Sequence, residues 1–342
     1  MFNKNLRPAR GATCVLPQAL LGAAAALVCA WQGSVIAADR TERYPARPVR
    51  LLIGFPPGGA ADALGRIVAP RLSDALGAQW VVDNRGGAGG NIATEIAARA
   101  RPDGYTLLMG LNTSLTVNPS IYANLPFNVQ RDLQPIALIA AQDHLLVVHG
   151  ASVEAASLMD FIALAKAKPG ALNYASSGIG STPHMAAELF KYRTGINLAH
   201  VPYKGGGPAA AAVLGGEVQV MFGTFASLLP HTRSGRLRGL AVTGAKRSQH
   251  APELPSVAES GFPGFEMIAW LGLLAPANTP QPIVKLLHAE TIKALALPEV
   301  LDALTRQGFD VMTDTPAGFA ARIQQESKTW AGVVKAAGIK PE

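Results

Sequence analysis

Cysteine is nearly missing from this chain of 342 residues, and the two that occur, Cys14 and Cys29, both stand in its first 30 positions. That segment reads as an export signal. Lys4, Arg7 and Arg10 make its basic start, and Ala19 to Ala30 form an apolar stretch too short to span a bilayer as a mature helix. Val35-Ile36-Ala37-Ala38 offers a small-residue cleavage point before Asp39. A lipoprotein reading would need a small residue ahead of Cys29, where Val28 stands. Setting residues 1–38 aside leaves a chain without cysteine, which excludes disulfides, thiolate metal sites and a cysteine nucleophile together. Such an exported protein must be held by its core. About 300 residues remain, enough for two domains each with a core of its own.

Basic runs and long apolar spans are missing as well. The formal net charge of +7 comes from 30 Lys and Arg against 23 Asp and Glu, and falls by three, to +4, without Lys4, Arg7 and Arg10. The remaining cations do not cluster, which argues against nucleic acid as a partner. A mild positive surplus favours a small anionic ligand. Beyond the signal segment no apolar run reaches the ~20 residues of a membrane-spanning helix. Signatures of catalysis are equally scarce: no G-x-S-x-G, no H-E-x-x-H and no GxxxxGK[ST] occurs. The seven histidines are scattered without metal-ligand spacing. No catalytic residue, metal or cofactor is expected.

What is present is alternation. Val49 to Phe55 is a short apolar run with the look of a strand buried on both faces, and Ala60 to Leu76 carries helical spacing. Gln79 to Asp83, a helix Ile92 to Ala100 and a strand Tyr105 to Gly110 continue the series. A second α/β block begins near His144, with strands at Leu145 to Val148, Leu172 to Ala175, His200 to Pro202, Val218 to Phe222 and Leu237 to Val242. Repeated βα units imply mainly parallel sheets flanked by helices. No flexible linker separates the blocks. The crossings, around Ile139 to Leu145 and Glu266 to Leu274, read as strands and would make a short stiff hinge. The last ~70 residues, three helices after Pro276, would pack back on the first block.

Three glycine loops each follow a strand and precede a helix: Pro56 to Asp62, Ser176 to Thr182 and Tyr203 to Gly207. In open α/β sheets ligands bind beyond the carboxyl ends of the strands. Helix N-termini there offer unpaired N–H groups and partial positive charge to a carboxylate or phosphate. This makes Pro57, Gly58, Gly59, Ala60, Ser177, Gly178, Gly180, Ser181, Thr182, Tyr203, Lys204 and Gly205 candidate ligand contacts, with Thr113 and Ser114 at a polar strand end. Asp62 would cap its own helix or meet a ligand ammonium. His184 is a donor to the ligand or an exposed residue of a helix start. Tyr203 and Trp270 would wall the cleft or serve the core. The run Arg85 to Asn91 fails G-x-G-x-x-G because Ile92 replaces the third glycine, so it is a helix-start loop rather than a nucleotide cradle.

These residues resemble a known family. Tyr44-Pro45, Pro48-Val49, Phe55-Pro56-Pro57-Gly58-Gly59, Pro102-Asp103-Gly104-Tyr105, Asn173-Tyr174-Ala175-Ser176 and Val201-Pro202-Tyr203-Lys204-Gly205 are similar to segments of Bug-type periplasmic receptors, the solute-binding subunits of tripartite tricarboxylate transporters. The resemblance runs on through Leu240-Ala241-Val242-Thr243 and Trp270-Leu271-Gly272. It implies a two-lobed Venus-flytrap periplasmic-binding-protein fold, type II-like, with two crossing strands as hinge. Residues 39–142 with 268–342 would form lobe 1 and residues 143–267 lobe 2. It further implies a monomeric periplasmic protein whose ligand carboxylate is held by Gly58, Gly59, Ala60, Asp62, Gly180, Ser181, Thr182 and Lys204. The ligand would pass to integral-membrane transporter subunits, or be presented to a sensor kinase. Such receptors often carry an Asp after the strand Val220-Met221-Phe222; Gly223 stands here, which favours a ligand without an ammonium group. The rival from another class is an exported α/β hydrolase or a nucleotide-dependent enzyme.

Overall fold

Runs rich in Val, Leu and Ile become strands covered on both faces, because such side chains gain most by leaving water and fit a pleated surface. The computed structural model describes residues 44–336; the expected signal segment and its cleavage point, with both cysteines, lie outside the described residues. Strand β1 (Val49–Ile53) pairs in parallel with β2 (Trp80–Asn84) on one side and β3 (Thr106–Leu111) on the other. Helices α1 (Ala60–Leu76) and α2 (Asn91–Ala98) connect them. Strand β4 (Leu133–Gln142), β10 (Ala269–Pro276) and β11 (Asp310–Asp314) complete a six-stranded sheet in the order β11-β4-β10-β3-β1-β2. β10 is buried at every position and runs antiparallel to both neighbours.

The second sheet has five strands: β5 (His144–His149), β6 (Asn173–Ser176), β7 (Ala199–Pro202), β8 (Val220–Thr224) and β9 (Leu237–Val242), in the order β7-β6-β8-β5-β9. Helices α3 (Leu158–Ala167) and α4 (Thr182–Thr194) cover one face with Phe161, Phe190 and Met185. Helices α5 (Gly206–Leu214) and α6 (Phe225–Arg233) cover the other with Ala209, Val213 and Leu228. The sheets are mixed, not parallel-rich. β6 pairs in parallel with β7 and β8, but β5 meets β8 and β9 antiparallel. A strand that enters a sheet from the other lobe arrives against the direction of the local βα units, and this is what reverses β10 against β3 and β5 against β8, while β4 leaves the first sheet in the same direction as β3.

Asp143 alone separates β4 in one sheet from β5 in the other, so the chain crosses there without a loop. The return lies beside it, between Thr243 and β10. The His144 N–H donates to Thr243 Oγ1 (2.9 Å), and the Thr243 N–H donates to His144 O (3.0 Å). The same hydroxyl donates to Met267 O at 2.6 Å, while Met267 N–H returns a bond to Thr243 O at 2.9 Å. One buried threonine thus ties both crossings. After α7 (Gln281–Leu295) and α8 (Pro298–Arg306), the last helix, α9 (Pro316–Ala336), joins both cores. Its Phe319 and Ile323 pack with Leu52, Leu138 and Trp270 of the first sheet, and its Trp330 and Val334 join the cluster around Phe161 and Phe190.

Candidate functional site

The carboxyl ends of β1, β6 and β8 and the β4–β5 crossing open onto one cavity of about 340 Å³. Three helix N-termini face it. Helix α1 starts from Gly59, which has extended backbone and no side-chain cap, and the first bond into the helix is Ala63 N–H to Gly59 O at 2.9 Å. The N–H groups of Gly59, Ala60 and Ala61 precede that bond and have no intrahelical acceptor. Helix α4 is capped by Ser181, whose hydroxyl accepts from His184 N and donates to Gly178 O at 2.6 Å. Pro183 has no N–H to leave unpaired. Helix α5 begins at Gly206 without a side-chain cap, so Gly206 and Gly207 also offer free N–H groups.

The first loop is set from behind. Gly58, at φ +84°, donates its N–H to Asp62 Oδ2 at 2.9 Å, and Asp62 also accepts from Arg66 at 3.0 Å. Burial pushes the Asp62 carboxyl up, but the Arg66 guanidinium, the Gly58 N–H and Asn84 outweigh it and hold it below its ordinary value. Asp62 is therefore spoken for as a loop brace. The glycine run before α2 is a second brace. A Cβ on Gly54 would lie 2.8 Å from Gly90 Cα, and one on Gly86 would lie 3.3 Å from Pro56 Cδ. The Arg85 to Asn91 segment backs the first loop and lines no part of the cavity.

The second loop rests on a ring stack. Tyr174, His200 and His184 stack in that order, with centroids 4.7 and 4.3 Å apart. His200 Nε2 meets Ser176 Oγ at 2.7 Å, and His184 Nδ1 accepts the Gly180 N–H at 3.1 Å. Burial lowers both imidazoles, His200 to about 4, so the stack is neutral near pH 7. Below it the Tyr174 hydroxyl donates to Glu188 at 2.6 Å, and Lys191 pairs with the same carboxylate at 2.7 Å.

Of the residues singled out from sequence, Pro57, Gly58, Gly59, Ala60, Ser177, Ser181, Thr182, Lys204 and Gly205 line the cavity together. Asp62, Gly178, Gly180, His184 and Tyr203 stand one layer back, shaping the loops. His184 is not an exposed helix-start residue as the pattern suggested; the ring stack buries it. Thr113 and Ser114 are buried in a π-helical turn, Thr113–Val117, rather than at a strand end. Trp270 belongs to the core, edge-on to Phe319 at 5.5 Å with its indole N–H on Glu326 at 2.8 Å. Sequence reasoning missed Gln142 and His144 on the crossing, and the apolar floor of Phe55, Leu111, Met221 and Ala269. Alternation across the crossing places Gln142 and His144 on one face and Asp143 on the other, a signal that was present but had no loop to announce it.

Electrostatically the cavity suits an anion. Among the described residues that line it, Lys204 is the one charged side chain, and neither Asp nor Glu is present. A wider groove of about 580 Å³ near Arg233, Arg236 and Arg238 lies at the opposite end of the second sheet, where β5 ends and β9 begins, away from the three helix starts.

The sequence profile of the TctC group, described as the tripartite tricarboxylate transporter family receptor, matches residues 64–339. This chain belongs to that family. The receptor is 39% identical to Protein BugT of Bordetella pertussis over 300 residues, which is 87% of this chain and 92% of that protein. Its fold matches a structure from R. palustris determined with adipate at a TM-score of 0.82 and 35% identity, over 87% of this chain and all of that one. MatC of Rhodopseudomonas palustris with bound malate matches at 0.79 and 30% identity, over 85% of this chain and 100% of that one. The two-lobed α/β architecture of these solute-binding proteins is the architecture of this receptor.

Proposed function

We propose that this receptor captures a small carboxylate-bearing molecule between residues of its two sheets in the periplasm and passes it to integral-membrane transporter subunits, without chemical change. The observation that carries this reading is the convergence of three uncapped or serine-capped helix starts on a cavity lined by one lysine and no acid. Each charge-assisted hydrogen bond to a carboxylate is worth about 1.5–3 kcal/mol. A few therefore suffice for micromolar capture after the entropic cost of binding. Residues 1–38 would direct export and be removed. The lobes would meet at the crossings near residues 142/143 and 267/268, with Thr243 holding the hinge.

A thermal-shift screen of the receptor against small carboxylic acids, each with its matched amide, tests this. A ligand at 100 times its dissociation constant stabilises by about 2.7 kcal/mol, which is several degrees or less for a chain this size. Stabilisation by an acid and not by its amide is the expected outcome. Equal shifts for both, or none from any acid when mass spectrometry of the denatured protein finds no carried ligand, would sink the carboxylate reading.

A further inference from the structure

The floor of the cavity holds hydrogen-bonding groups that the carboxylate cradle does not use. Gln142 ends β4 and His144 starts β5; both line the cavity, and they are 2% and 1% exposed. Gln142 Nε2 and His144 Nδ1 each lack a hydrogen-bond partner. Buried polar groups in folded proteins are nearly always paired, since an unmade bond there costs free energy that nothing else returns. Two lining residues of one binding cavity, each with such a group, mark a place where the partner arrives with the ligand. Their strand neighbours across the floor are Ala269, opposite Gln142, and Thr224, opposite His144. Phe55, Leu111 and Met221 supply the apolar remainder.

We propose that Gln142 and His144 form a second subsite that takes an uncharged oxygen of the ligand, a ketone, hydroxyl or carboxamide group, at the end of an apolar body whose carboxylate sits at the helix starts. This deepens the carboxylate-receptor reading and rests on it. A side-chain amide nitrogen only donates, so the ligand group must present an acceptor. A second carboxylate fits poorly. Burial lowers the His144 imidazole to about 4, which keeps it neutral near pH 7. No cation stands at the floor, since the one lysine of the cavity belongs to the third glycine loop. Between Gln142 and His144 stands Asp143, an acid in its own right. Desolvating an anion against neutral groups beside a carboxylate is unfavourable, whereas a neutral oxygen loses little, accepts from Gln142 Nε2, and meets His144 Nδ1 as acceptor or, from a hydroxyl, as donor according to the imidazole tautomer.

Calorimetric dissociation constants for three matched trios test this: pentanoate, 4-oxopentanoate and glutarate; hexanoate, 5-oxohexanoate and adipate; benzoate, 4-hydroxybenzoate and terephthalate. In a trio that binds, the oxo or hydroxy acid is expected to bind about 10- to 100-fold more tightly than the plain acid and the diacid, because a site built to hydrogen-bond rejects the analogue that lacks the group. Gln142→Leu and His144→Leu should erase that preference, bringing the oxo acid and its plain partner to similar affinities. A diacid preferred by the unaltered protein, or a plain acid bound as tightly as its oxo partner, overturns the subsite and leaves the carboxylate reading standing. No binding by any acid overturns both. Where a leucine variant fails to fold, the ranking measured on the unaltered protein still decides.

Discussion

Asp143 is the residue whose substitution tests the electrostatics of the crossing most directly. It alone joins β4 to β5, and a Cβ on the neighbouring Gly244 would come within 2.6 Å of its Oδ1. Burial first, then the like charges of Asp310 and Glu266, push its carboxyl up to about 6, against a weaker pull from Ser248. Asp310 is itself engaged by His250 and Gln249. The folded protein therefore holds the Asp143 proton more tightly than the unfolded chain does. The stability from that proton is complete below the carboxyl's ordinary value of 3.8 and is lost as pH rises to about 6. The difference in proton affinity between the folded and unfolded chain is worth about 3 kcal/mol, which partial access to water reduces to about 2. Asp143→Asn keeps the shape and removes the charge. The variant should be more stable than wild type by about 2 kcal/mol above pH 7 and by less than about 1 kcal/mol at pH 4. Urea unfolding of both proteins at pH 4, 5.5 and 7.5 measures the gap. A gap that stays constant with pH, or a variant less stable at pH 7.5, would refute the assignment.

Three more outcomes follow from single contacts. Thr243→Val leaves the His144 N–H and Met267 O without their hydroxyl partner, and should cost about 2–4 kcal/mol in urea unfolding while weakening ligand capture through a looser hinge. Gly223→Ala places a Cβ 2.6 Å from Leu228 Cδ1 and 2.9 Å from Met221 Cε. It should lower stability by about 1–3 kcal/mol, read as a fall in Tm, and shift the cavity floor at Met221. Trp270→Phe removes the indole donor from Glu326, whose carboxyl burial already holds above its ordinary value. The cost, about 1–3 kcal/mol at pH 7.5, should shrink as pH falls and the carboxyl takes up a proton; a Tm loss that stays the same down the acid range would exclude the charge as its cause.

The three glycine loops were legible because backbone chemistry is local. Pro183 and Pro208 in the first turns of α4 and α5, Ser181 at a cap and Gly58 at positive φ each state their role within a few residues. Short apolar runs such as Val49–Ile53 and Leu237–Val242 announced buried strands in the same way. The weaker elements did not. β11 (DVMTD) has little apolar content and alternates in exposure as an edge strand, and α6 begins with no side-chain cap. Their placement comes from β4 and from the β8–β9 frame, which lie elsewhere in the chain.

By itself the sequence determined the confinement of both cysteines to the first 30 residues, the α/β alternation, the glycine loops that open helices, and the resemblance to its family. Tertiary structure decided the rest. It made the sheets mixed, because β5 and β10 come from the other lobe and enter against the local direction. It withdrew Asp62 and His184 from the cavity by engaging them with Gly58, Arg66, Gly180 and His200. It split α9 between two cores, though the apolar spacing of Phe319, Ile323, Trp330 and Val334 fits one helix face. And it left Gln142 Nε2 and His144 Nδ1 buried without a partner at the cavity floor. Whether a polar side chain finds its partner depends on residues far away in sequence, such as Thr224 and Ala269 across the strands, and no local pattern carries that information.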